Sequence, residues 1–125
     1  MKRKGELEAE ISALYSKGYK TLIGRGPKNV KTRICEDMLI IRVCKYHEPI
    51  VEILKTQKDG IDLFVRMNRA IYEGTEKYLA DMVTEILGFR PKKSFYDEYW
   101  EESEIVIFLL FEENIEQKLH ELGVI

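Results

Sequence analysis

Apolar residues recur along this chain with two periods, and the places where the period changes mark the elements. Over residues 6–22 the positions Leu7, Ile11, Leu14, Tyr15, Gly18 and Leu22 fall on one helical stripe. Gly24 ends that helix and Pro27 keeps it from resuming. The period then drops to two. Residues 30–35 and 38–44 read as a hairpin across Glu36-Asp37, with Ile34 facing Leu39, Thr32 facing Ile41 and Val30 facing Val43. That face is apolar, while the reverse carries Lys31, Arg33, Ile40 and Arg42. A slip of one residue would bury the cations, so the register is well specified. The turn lacks the usual glycine, which leaves room for a loop longer by a residue or two.

Glu48-Pro49 opens a short helix with Ile50, Ile53 and Leu54 on its apolar side. Asp59 is the expected N-cap of the next and strongest helix. There Ile61, Phe64, Val65, Asn68, Ile71, Tyr72, Thr75, Leu79, Met82, Val83 and Ile86 recur at three- and four-residue steps, and Gly88 is the natural stop. At 1.5 Å per residue such a helix is roughly 40 Å long. That length predicts either a bend at Gly74 or packing of part of the helix on a second subunit. A second hairpin joins residues 92–99 to 104–112 through Glu101-Glu102-Ser103. Residues 105–111 are apolar at every position, which predicts a strand covered on both faces. Asn114 caps a final helix, with Gln117 three residues on, and Gly123 ends it.

These elements give an α+β fold: two antiparallel β-hairpins forming a sheet packed on one long amphipathic helix, with N- and C-terminal helices. Residues 1–125 form one domain, with residues 1–5 as a flexible tail. The strand order between the hairpins stays open.

Charge adds a feature that periodicity does not. The net charge is only −2, yet residues 17–33 hold six basic residues and no acid, and residues 97–117 hold eight acids and no base. Arg25, Lys28, Lys31, Arg33 and Arg42 can share one surface, with Tyr15 and Tyr19 close by in sequence. Such a face suits a partner, RNA, lipid headgroups or another anion. The abundance of Lys and Glu beside few Asn, Gln and Cys suits a thermophile.

Several chemistries drop out. Gly24-x-Gly26 lacks the third glycine and the Walker lysine, and it stands between a helix and a strand rather than the reverse. His47 and His120 stand apart, and no His/Cys pair has ligand spacing, so no metal site or cofactor is expected. Cys35 and Cys44 share the reverse face of the first hairpin at opposite ends, roughly 20 Å apart, too far for a disulfide. Buried, inert thiols are expected. The carboxylates at Asp97, Glu98, Glu101, Glu102 and Glu104 sit in one solvated loop region, whereas acid–base catalysis needs two carboxyls in different environments. No catalytic residues are expected and the chain reads as a non-enzyme. Two cysteines and no apolar run of bilayer length point to the cytosol.

Helix 1 running into Gly24-Arg25-Gly26-Pro27, then Val30-Lys31-Thr32-Arg33-Ile34 and Glu36-Asp37-Met38-Leu39-Ile40-Ile41-Arg42-Val43, resembles the MpsC family of a sodium-translocating, membrane-potential-generating system. The charged helix ending Thr84-Glu85-Ile86-Leu87-Gly88 extends the likeness, which covers most of residues 5–112. His47-Glu48-Pro49-Ile50 departs from the family's threonine-proline-alanine-glutamate turn. The resemblance implies a soluble accessory or regulatory protein tied to a membrane ion-transport system, cytoplasmic or peripheral to the membrane. It carries over no catalytic residues. The expected partners are a second copy, as a homodimer, and a membrane transporter subunit. An RNA- or anion-binding module using the basic hairpin face is the alternative.

Overall fold

A computed structural model describes residues 1–125. Its elements in chain order are α1 (Lys4–Ile23), β1 (Asn29–Cys35), β2 (Met38–Cys44), α2 (Ile50–Leu54), α3 (Gly60–Leu87), β3 (Lys93–Tyr99), a 3-10 turn (Trp100–Glu102), β4 (Glu104–Leu110) and α4 (Ile115–Glu121). The strands form one antiparallel sheet in the order β1-β2-β4-β3. Both hairpins thus contribute their second strand to the centre.

The first hairpin has the register that alternation dictates, with Ile34 opposite Leu39, Thr32 opposite Ile41 and Val30 opposite Val43. Its loop is two residues long although no glycine is present, because Glu36 itself adopts a left-handed φ of 57°. That conformation is disfavoured for a residue with a Cβ, and α4 holds it in place. Glu36 N–H donates to Glu116 Oε1 at 3.0 Å, and Glu116 N–H donates back to the Glu36 carbonyl at 3.1 Å.

One face of the sheet is covered. Ile34, Leu39, Ile41, Val43, Ile105, Ile107 and Leu109 meet Leu7 and Ile11 of α1 and Tyr72, Leu79, Met82, Val83 and Leu87 of α3 in a single core. Phe111, Ile115 and Leu119 close it from the α4 side. Each such side chain removed from water contributes about 1.5–3 kcal/mol. α1 also seals the β1 edge: Glu8, itself buried, accepts from Ile34 N–H at 2.7 Å, and Ser12 shares a hydrogen bond with Thr32.

α3 runs unbroken through Gly74 and stops at Gly88, whose φ of 80° lets its N–H reach the Thr84 carbonyl. At its start, Gly60 has a different reason to be glycine. A Cβ there would lie 1.9 Å from the Leu54 carbonyl oxygen, so the end of α2 rests directly on its backbone.

Three expectations are corrected. β4 is covered on one face only: Val106, Phe108 and Leu110 are half-buried by neighbouring strands and carry no layer above them. Cys35 is exposed and Cys44 half-buried, both as free thiols, because they lie on that uncovered face. Asp59 precedes α3 in a left-handed conformation, and its side chain makes no capping bond. Asn114, by contrast, caps α4 by accepting from Gln117 N–H at 3.0 Å.

Candidate functional site

Alternation along four strands of equal length lays the uncovered face out in rows. One row is Arg33, Ile40, Phe108 and Phe95, and the next is Lys31, Arg42, Val106 and Asp97. Beyond them lie Cys35, Met38, Leu110 and Lys93 on one side, and Asn29, Cys44, Glu104 and Tyr99 on the other. The two central strands therefore present a mostly apolar stripe. The β1 edge is cationic, and the β3 edge carries Asp97 with Phe95 and Tyr99, which are 46% and 56% exposed. Arg42 donates to Glu104 within this face, and that hydrogen bond holds the Glu104 carboxyl below its usual range.

All five cations singled out from the sequence are exposed. Lys31, Arg33 and Arg42 share the open face, whereas Arg25 and Lys28 stand in the loop before β1. Arg25 lies 4.3 Å from the centre of the Tyr46 ring, a cation–π contact. Tyr15 and Tyr19 do not share the open face with Lys31, Arg33 and Arg42, although Arg25 acts electrostatically on the Tyr19 hydroxyl. They belong to the helical side, where they line a cleft between α1 and α3 with Tyr72, Tyr78 and Tyr96. The Tyr72 and Tyr96 rings stack at 4.5 Å, and Tyr72 donates to Ser94 Oγ at 2.7 Å. Gly18 makes room for the Tyr78 ring, since a Cβ there would meet its hydroxyl at 3.0 Å. Burial, and behind it the carboxylates of Glu48 and Glu98, push the Tyr19 hydroxyl up to about 12, and burial also raises Tyr15. These hydroxyls stay protonated near neutrality and are not bases. The cleft leaves about 70 Å³ for an occupant, below the roughly 150 Å³ of an apolar cavity that admits benzene.

Beside the cleft lies a buried polar network absent from the sequence reading. Lys45 Nζ sits 3.2 Å from Glu98 Oε2, and their side chains are only 6% and 2% exposed. Asn68 donates to both Glu98 oxygens at 3.1 and 2.8 Å, and Tyr96 OH adds a bond at 3.3 Å. Glu98 follows Ser94 and Tyr96 on the inward positions of β3, which was the available signal; Lys45 gave none. No group of three or more His, Cys, Asp or Glu is placed to hold a metal ion.

The family model described as "Na+-translocating membrane potential-generating system (MpsC)" matches residues 3–113. The chain belongs to the MpsC family. The matched span takes in α1, α2, α3 and the whole sheet, and stops just before α4. Among curated proteins, YbcI of Bacillus subtilis (strain 168), described as uncharacterised, is 29% identical over 96 residues, 77% of either chain. No solved structure matches this chain. Its membership links the chain to a membrane-potential system, and no helix in it is long and apolar enough to cross a membrane.

Proposed function

We propose that this MpsC-family chain is a non-enzymatic accessory or regulatory component of a membrane-potential-generating or ion-transport system. It acts from the cytoplasm, as a homodimer, by binding a protein subunit of that system. The supporting observation is an apolar stripe that the fold leaves in solvent. Leu63, Met67 and Ile71 recur every fourth residue on the outer side of α3 and are 54%, 46% and 40% exposed. Leu22 and Ile23 at the end of α1 join Ile71 at the mouth of the tyrosine cleft, at 58% and 41% exposure. Contiguous exposed apolar surface of this kind marks contact with another protein. An apolar segment at the cytosolic side of a transporter subunit fits it.

The test is affinity capture from detergent-solubilised membranes of the source cell, with the wild-type chain and with Met67→Glu plus Ile71→Glu. A transporter subunit retained by the wild type and lost by the variant is expected. A wild-type chain that recovers no membrane protein overturns the reading. Anion or RNA binding by Lys31 and Arg33 stands second, because Glu104 already engages Arg42 on that face. Its signature is affinity that falls steeply with salt, and salt-indifferent binding removes it.

A further inference from the structure

We infer that the open face of the sheet is where two copies of this chain meet, packed face to face about a twofold axis that runs parallel to the strands. The inference rests on the homodimer reading above and specifies its interface and symmetry.

The edges of the sheet are blunted, which leaves the face. On β1, Glu8 occupies the outward Ile34 N–H. On β3, the Asp97 carboxylate accepts from the outward Glu98 N–H at 2.9 Å, and Arg69 reaches the Tyr96 carbonyl at 3.4 Å. Side chains that occupy edge groups discourage strand-to-strand pairing between copies. The face has no such protection. Met38, Ile40, Val106, Phe108 and Leu110 form its apolar centre, and no helix of the chain lies over them.

The charges on its rim then select the symmetry. Two identical faces pack about a twofold axis lying between them, either along or across the strands. An axis across the strands would set β1 on the partner's β1 with the rows reversed, so that Lys31 lies against the partner's Arg33, cation against cation. An axis along the strands sets β1 over β3 and β2 over β4 of the other copy, and keeps every row opposite itself. Lys31 then meets Asp97, Arg33 meets the exposed Phe95 ring, Ile40 meets Phe108 and Met38 meets Leu110. Each contact occurs twice. Asn29 meets Tyr99, Cys44 meets Glu104 and Cys35 meets Lys93, so no like charges oppose one another. Aligned sheets pack in this manner about 10 Å apart with a rotation near −30°. Four strands of about 23 Å at about 4.8 Å spacing give a face of roughly 450 Å² in plan. With side-chain relief, pairing removes on the order of 1,200 Å² in total, enough for a specific interface.

The experiment is sedimentation equilibrium at low micromolar concentration, with circular dichroism as the check on folding. The wild type is expected to be a dimer. Phe108→Glu weakens it by about 100-fold or more, because a charge is left unpaired at the interface centre, while Met67→Glu on the helical side leaves it unchanged. Lys31→Glu also weakens the dimer, and adding Asp97→Lys restores it; this pair leaves the core untouched should Phe108→Glu fail to fold. In a background of Cys35→Ser and Cys44→Ser, a short bis-maleimide should join a mixture of Lys31→Cys and Asp97→Cys chains and neither chain alone. A monomeric wild type ends the homodimer reading as a whole. A dimer insensitive to Phe108→Glu and to the charge reversal spares that reading and removes this interface. Crosslinking of Lys31→Cys chains by themselves places the axis across the strands and overturns the arrangement.

Discussion

Glu98 and Glu104 stand at the same end of the second hairpin, on opposite faces of the sheet, and each engages a cation from β2 or its end. Glu98 lies beneath α3 with Lys45, and Asn68 and Tyr96 supply the remaining hydrogen bonds to its carboxylate. Glu104 lies in the open with Arg42, and no other side chain hydrogen-bonds to it. The residue types are nearly the same. What differs is the helix layer, which strips water from one pair and leaves it around the other. A desolvated pair is stable only as a complete set, because either partner alone is a buried charge. A solvated pair loses little when one member goes.

The largest expected effect tests this difference directly. Lys45→Met strands Glu98 and should cost about 3–5 kcal/mol, read as the urea unfolding free energy, and adding Glu98→Leu should recover most of it. Arg42→Ala, in the Phe108→Glu background where no second copy covers the face, should lower the midpoint only slightly. Equal losses from Lys45→Met and Arg42→Ala would erase the distinction between the faces.

A smaller effect compares neighbours on β4. Ile107 is 2% exposed and points into the core, while Val106 points away. Ile107→Ala should cost about 3 kcal/mol through lost contact and a residual cavity. Val106→Ala should cost under about 1 kcal/mol when measured in the Phe108→Glu background, where the open face has no partner. A Val106 loss that matches Ile107 in that background would mean something in the chain covers the open face.

The smallest effect is acid sensitivity. The Arg42 hydrogen bond depresses the Glu104 carboxyl, and Lys4 with the Glu36 backbone depresses Glu116. A carboxyl lowered by folding stabilises the native state above its unfolded value of about 4.3, and that contribution disappears as pH falls through the lowered folded value. Urea midpoints followed from pH 6 toward 3 should therefore decline mainly below about 4.3. Glu104→Gln should make the decline shallower. An unchanged slope would show that the open-face pair contributes nothing even at its own end of the pH range.

The register of the first hairpin was legible because Lys31, Arg33 and Arg42 punish any slip, and that penalty is written in local alternation. Strand order was not, since alternation says which side of a strand is dry and nothing about its neighbour. The all-apolar run over β4 misled about cover, because apolar side chains along a strand do not say which layer of the same chain, if any, lies over each face. The left-handed Glu36 and Asp59 left no mark in a pattern that expects glycine or a cap at such positions. Of the five cations chosen by charge, strand geometry could group only Lys31, Arg33 and Arg42, because the loop carrying Arg25 and Lys28 has no period to orient it. The Lys45–Glu98 pair joins residues 53 apart in sequence, beyond the reach of any local rule.

Glu116 gathers three distant parts of the chain: its carboxylate takes Lys4 of α1 at 2.5 Å and the Glu36 N–H of the first hairpin at 3.0 Å. During synthesis, α1 and the first hairpin emerge long before their fastener does. The strained tip at Glu36 stays unlatched until a segment 80 residues further along the chain has been made, so the first hairpin gains its brace only after the rest of the sheet has followed it.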